Sequence, residues 1–414
     1  MKKTKCDSGF LVLIQISLSS IVCFFLFATA QAQENAQWRG ASRDGYYNES
    51  GLLKQWPEEG PEMFWNYNGL GEGYTSVSVA DDKIYVTGMI DSIGYLYILN
   101  TKGELLKKKA YGPEWNVNYN GSRSTVCVNG KKLYIFSGRG VLYALDAENL
   151  HTLWTKDIQK DFDGHNLTFG MAESPLIVGE ALYLTPGGEK FNMVSLNKHT
   201  GELLWSSTGI GKPSTYCSPQ YIGDLKIPVV VTAIDSNLVA FNAEMGDMLW
   251  KVDQKNPYGH SPNTPIYEKN LLFSVSGGGV GAVQYRLNPD GTIAEKVWTN
   301  EMDSKHGAAV KVGDYVYGSG EKNRYWYCID WRTGKTMYKD NSIGVGNIIA
   351  ADGMLYCYSD RGELALVEAT PEKFNIKGKI KITLGTNQHW AHPVIYKGML
   401  YLRHGDALMA YKIQ

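Results

Sequence analysis

Hydrophobic and polar positions alternate in short runs along nearly the whole chain, and the runs recur in a fixed order. One strand opens on small or polar residues and a second is rich in Tyr and Val. A third ends in Leu-Asp or Leu-Asn, a glycine turn follows, and a fourth carries Leu-Trp. Such alternation, bounded by turn residues, predicts half-buried strands joined as hairpins. The fullest copy runs Glu173-Ser174-Pro175-Leu176-Ile177-Val178, Ala181-Leu182-Tyr183-Leu184, Asn192-Met193-Val194-Ser195-Leu196-Asn197 and Gly201-Glu202-Leu203-Leu204-Trp205. Fourth strands carry Trp154, Trp205, Trp250 and Trp298, spaced 51, 45 and 48 residues apart. Four strands in a unit of that length is the spacing of a propeller blade.

A lone four-stranded sheet cannot bury both faces. Set radially, each blade covers its neighbour, and the recurrent Trp fills the space between blades rather than stacking on a ligand. Turns such as His199-Thr200-Gly201 and Arg332-Thr333-Gly334 place glycine where a hairpin bulge needs positive φ. The last unit stops after its third strand, Ala407-Leu408-Met409-Ala410-Tyr411, while an orphan fourth strand, Pro61-Glu62-Met63-Phe64-Trp65-Asn66-Tyr67, stands near the start. Pairing the two removes both open edges. The fold class expected is all-β: an eight-bladed β-propeller of four-stranded antiparallel blades, closed by the N-terminal strand completing the last blade. The sixth and seventh units lack the Trp, so seven blades is the alternative count.

Composition narrows the function classes. Lys+Arg 41 against Asp+Glu 42 leaves a net charge of -1, so no basic field collects nucleic acid or anionic membrane. Residues 1–32 read as an export signal. Lys2, Lys3 and Lys5 precede an apolar run from Phe10 to Phe27, and the small-residue patterns Ala28-Thr29-Ala30 and Ala30-Gln31-Ala32 follow. The run is at about the ~18-residue length of a spanning helix, so an uncleaved anchor is the alternative to cleavage. Residues 33–414 then form one propeller domain, periplasmic or extracellular, with no membrane span after cleavage. Cys127, Cys217, Cys328 and Cys357 lie outside the signal in no metal or haem spacing and read as buried strand residues.

Polar groups at the innermost-strand openings of a propeller converge on the axial funnel. Those positions hold Tyr74, Arg123, Glu173, Tyr216, Asn263, His306, Asn347 and His392, with His165, His260, His389 and Trp390 just before them. The mixture suits an anionic or polyol ligand, or a hard cation through Glu173. His389 and His392 fall in a loop entering a strand and read as structural rather than metal-binding. Gly277-Gly278-Gly279-Val280-Gly281 has no following helix and reads as a blade hairpin, not a phosphate loop. Arg39, Arg43 and Asp44 read as ties holding the N-terminal segment across the propeller. No Ser-His-Asp arrangement stands out.

Ser174-Pro175, Leu145-Asp146 and Thr200-Gly201-Glu202-Leu203-Leu204-Trp205 resemble the repeat of the pyrroloquinoline-quinone-like β-propeller family. The N-terminal Trp38-Arg39-Gly40-Ala41-Ser42-Arg43-Asp44-Gly45 and Trp56-Pro57-Glu58-Glu59-Gly60-Pro61 resemble the opening of its secreted, single-domain bacterial members. The family includes quinone-dependent alcohol and sugar dehydrogenases and non-enzymatic relatives of the outer-membrane assembly lipoprotein B type. In the dehydrogenases the quinone sits on calcium, often under a disulfide of adjacent cysteines, and this chain has no adjacent cysteines. The function expected is therefore an exported, non-catalytic scaffold binding protein, peptide or carbohydrate at its axial face. The resemblance leaves a second reading, a PQQ- and calcium-dependent alcohol or aldose dehydrogenase. It would hold the ion through Glu173 and a funnel asparagine, and pair Arg123 with a cofactor carboxylate. A carbohydrate-binding or carbohydrate-active propeller is a third.

Overall fold

The computed structural model describes residues 36–208 and 210–414; the predicted export signal lies outside them. Eight antiparallel sheets follow one another in chain order, which settles the count at eight rather than seven blades. Blade 1 runs from Ser78–Ala80 to Leu105–Pro113 and blade 7 from Gly346–Ala351 to Asn375–Lys381. Blade 8 comprises Val394–Tyr396, Met399–His404 and Ala407–Lys412 with Met63–Asn68 as its outermost strand. Trp65 opposite Ala410 and Tyr67 opposite Leu408 set that closing register. Among the described residues the one α-helix is Ile158–Phe162, and no helix is long and apolar enough to cross a membrane.

The core lies between blades, because each sheet buries both faces. Tyr85, Leu96 and Ile98 of blade 1, for example, pack with Val126, Leu133 and Ile135 of blade 2. Every outermost strand carries a bulge, at Leu106, Leu153, Leu204, Leu249, Val297, Met337, Lys377 and Phe64. A bulge twists the strand and re-aims the next side chain, and it blunts an edge that would otherwise invite pairing. The re-aimed residue is Trp in five blades. Each of these indoles donates to a turn carbonyl of the next blade: Trp65 to Thr101 at 2.9 Å, Trp154 to Lys198 at 3.2 Å, Trp205 to Ala243 at 3.0 Å, Trp250 to Gly291 at 2.8 Å and Trp298 to Trp331 at 3.0 Å. Turn glycines admit the ring. A Cβ on Gly201, whose φ is +73°, would lie 2.8 Å from the indole of Trp154. The expected inter-blade role of the tryptophans is what the geometry shows.

Three blades lack that Trp. Blade 1 has Lys107 there, which donates to the Glu148 carbonyl in the turn of blade 2, and the sixth and seventh reach the same end differently. In blade 6, Tyr338 takes the position, and Phe374 from the neighbouring turn packs on it and stacks on Trp326 at 5.8 Å. In blade 7 the position is Gly378, and the ring comes from the head of the chain. Trp56 packs against Tyr356 at 6.2 Å and 50°. The four intrablade pairs lie at 5.8–6.0 Å and 48–52°.

The N-terminal segment thus does more than close the ring. Residues 36–44 fill the axial channel, and Tyr46–Tyr47 add a parallel fifth strand to the inner edge of blade 7, an element the repeat pattern does not contain. Arg39 donates to the carbonyls of Ile348 and Ala309 and to Nδ1 of His392, and Arg43 to the carbonyls of Ser174 and Pro175. Trp38 donates to Thr264, Gln220 donates to the Ser42 carbonyl, and Ala36 bridges Val128. This short stretch touches seven of the eight blades. Burial lowers both guanidiniums to about 10, so each stays charged at neutral pH and each is matched by carbonyl oxygens.

The four cysteines of the propeller are free and buried. The glycine-rich stretch joins Leu271–Ser276 to Gly281–Leu287 as a hairpin, with Gly278, Gly279 and Gly281 at positive φ.

Candidate functional site

The loops that lead into the innermost strands converge at one end of the channel around a cup of about 480 Å³. The plug closes its floor, where Trp38 meets His392 edge-on at 4.7 Å. Of the sequence-predicted residues, Tyr74, Arg123, Tyr216, His306, Trp390 and His392 line the cup, joined by His260. Glu173, Asn263 and Asn347 do not. Their side chains turn into the seams between blades, where the openings of neighbouring strands leave backbone groups to satisfy. Asn263 donates to the carbonyls of Val275 and Ser304 and accepts from the Ala308 amide, and Asn347 donates to the carbonyls of Trp390 and Ala391. Glu173 is 1% exposed and accepts from the Thr185 amide; burial raises its carboxyl to about 8, against the smaller pull of Arg43. His165 is exposed beside the helix, and His389 stacks on His404 at 3.7 Å outside the cup.

The cup is chiefly aromatic. Trp390 is its hub, 5.0 Å from Tyr74, 4.9 Å from Tyr119 and 5.1 Å from His306. Phe169 continues the wall to Tyr216 at 6.3 Å and His260 at 5.2 Å, with Tyr258 at the lip. These are attractive edge-on and tilted spacings. Tyr119, Phe169, Tyr258, Lys305 and Glu321 escaped the sequence reading. The first three stand in the loops before innermost strands, as Tyr74 and Tyr216 do, so an aromatic in each approach loop was the usable signal.

Polar groups of the wall are largely spent on the protein itself. Arg123 donates to the carbonyls of Phe169, Gly121, Asn118 and Tyr119 and lies 5.6 Å over the Tyr74 ring. Tyr74 donates to Gln388, and Glu321 accepts from the Gly278 amide with Lys305 at 4.0 Å. His392 accepts from Arg39 through Nδ1 and so donates through Nε2 to the His306 carbonyl, and burial holds it neutral. His306 is pulled down to about 4 by burial and Lys305.

This donor set does not fit the calcium-held quinone that the resemblance implies. Glu173 is not at the wall, the Asn263 amide is bonded on both sides, and Arg123 is already committed to four carbonyls. Among the described residues no three His, Cys, Asp or Glu side chains gather to hold a metal ion.

A family model described as outer membrane protein assembly factor BamB matches residues 94–222 and 223–373. The chain is 22% identical to BamB of Moranella endobia over 58% of its own length and 63% of that protein's, and 23% identical to BamB of Shewanella oneidensis over 60% and 64%. The match therefore spans less than two thirds of these two relatives. Among solved structures, BamB from Moraxella catarrhalis superposes with a TM-score of 0.63 at 13% identity, over 85% of this chain and 99% of that one. A quinohemoprotein alcohol dehydrogenase from Comamonas testosteroni superposes with a TM-score of 0.70 at 13% identity, over 93% and 81%. Both likenesses concern the fold alone. The family model covers well over half of the sequence, so the chain belongs to the PQQ-like propeller family described as outer membrane protein assembly factor BamB.

Proposed function

We propose that this chain is a non-catalytic interaction scaffold of the cell envelope, exported behind residues 1–32, which takes a protein partner in outer-membrane protein assembly at its axial face. The observation that carries this reading is the cup itself: a blind, aromatic-walled hollow whose Arg123 and Glu321 are bonded to the protein rather than presented for chemistry. Concave apolar sites with a few placed donors are what recognition uses, and aromatic residues are favoured anchors. The family's own description supplies the assembly context.

A photo-crosslinking residue in place of Tyr258, at the cup lip, tests this in the intact envelope. Adducts with outer-membrane assembly proteins are expected from this position and not from Lys397, which lies in the turn between blade 8's first and second strands, outside the cup. Equal yields from both positions would count against an axial docking face. Saturable dye reduction by the purified protein loaded with PQQ and calcium, with an alcohol or aldose as donor, would overturn the non-catalytic reading.

A further inference from the structure

We propose that the axial cup recognises an uncharged, proline-containing segment of a partner protein held in the polyproline II conformation. This deepens the scaffold reading and rests on it. Three features of the wall choose the ligand.

The first is charge. Arg123 brings a fixed positive charge against Tyr74, and Glu321, the one carboxylate among the described lining residues, is bonded to the Gly278 amide and faces Lys305. A lysine or arginine side chain would meet Arg123 without a free counter-charge. An acidic one would find that guanidinium already committed to four carbonyls and would compete for Lys305 with Glu321, 4.0 Å from it.

The second is the shortage of free hydrogen-bonding groups. A sugar ring buried here would bring several hydroxyls, each costly to leave unpaired. The wall leaves few partners for them, since Tyr74, His392 and Arg123 are already bonded. Proline rings carry no N–H and bury almost only CH surface. A polyproline helix asks for donors to its carbonyls alone, and aromatic-lined grooves meet it in this way. The indole N–H of Trp390 and the hydroxyls of Tyr119 and Tyr258 have no hydrogen-bond partner among the described residues and are placed to supply such donors.

The third is shape. The cup is blind, because Trp38 and His392 close it below. It therefore accepts a loop tip or a chain end rather than a chain running through the axis.

The test titrates the full purified chain with acetylated, amidated hexaproline, following intrinsic tryptophan fluorescence. A Gly-Ser hexapeptide and maltohexaose are titrated alongside. Saturable binding of hexaproline alone is expected. Trp390→Ala should weaken it about ten-fold or more, as loss of a central aromatic anchor does. Tyr119→Phe, which keeps the ring and removes the hydroxyl, should weaken it several-fold, and Lys397→Ala should leave it unchanged. If Trp390→Ala lacks the wild-type circular dichroism spectrum, Tyr258→Ala at the exposed lip takes its place, with a loss of several-fold expected. Absence of saturable hexaproline binding, equal binding by the cup variants, or preferential binding of maltohexaose would each overturn the proposal. Should crosslinks from position 258 to assembly proteins persist in that case, this inference fails and the scaffold reading stands. Loss of both sinks the reading too.

Discussion

Trp56 lies on Gly378: a Cβ built on that glycine would come within 2.5 Å of the Cβ of Trp56. The glycine occupies, in blade 7, the re-aimed position just after the bulge that Trp holds in five other blades. A residue from the head of the chain thus fills the seam that the seventh repeat leaves open. The Trp56 amide donates to the Lys377 carbonyl at 3.0 Å, fixing the borrowed ring to the strand it serves. The eighth blade has no turn between its third and fourth strands, because the fourth comes from the N-terminus. The indole N–H of Trp56 accordingly lacks the carbonyl its counterparts reach.

Trp56→Ala should therefore destabilise the propeller by about 3–5 kcal/mol, the usual cost of removing a buried Trp. Gly378→Ala should cost about 1–3 kcal/mol, since the clash is with a Cβ that no rotamer change can move. Urea unfolding of both variants measures these losses. A midpoint unchanged from wild type for Trp56→Ala would show that the ring does not hold the seam.

Arg39 binds blades 6, 7 and 8 from inside the channel. Arg39→Ala should cost about 3 kcal/mol or more, because buried carbonyls lose a charged donor. Arg39→Lys should recover only part of this, a point charge being unable to reproduce the guanidinium fork. Thermal melts of the three proteins read the order directly, and a Lys variant as stable as wild type would contradict it.

The Glu173 carboxyl is held near 8 in the folded protein, chiefly by burial, whereas the unfolded chain ionises it near ~4.3. With the folded pKa the higher of the two, the contribution of Glu173 is fully present below the unfolded value and is lost as the pH rises through about 8. Glu173→Gln keeps an oxygen for the Thr185 amide and has no proton to lose. Its melting temperature should fall less than that of wild type between about pH 5 and 8.5. Parallel curves across this window would show that the carboxyl does not titrate as its surroundings require.

Burial raises the thiols of Cys127 and Cys217 to about 12 and about 11, that of Cys328 to about 12, and that of Cys357 well above 9. A thiol reacts as its thiolate. Peptide mapping after iodoacetamide at neutral pH should find all four unmodified in the native protein and alkylated in denaturant. Native-state labelling of any one would place it at the surface.

The alternation of apolar residues, the Trp spacing and the glycine turns were local signals. They determined the strands, the blade repeat and the closing pair of Met63–Asn68 with Ala407–Lys412, because each depends on residues a few positions apart or on one missing strand. Six of the nine predicted funnel residues reached the cup for the same reason: the strand openings dictate which loops face the axis. Tertiary structure alone decided the rest. Nothing near Glu173, Asn263 or Asn347 says whether a side chain turns to the axis or into a seam, since that depends on backbone groups supplied by a neighbouring blade. Nor does the glycine at 378 announce that Trp56, more than three hundred residues earlier, stands in its place. That contact exists because the ring, once closed, brings the head of the chain past the blade whose outer strand has only a glycine at that position.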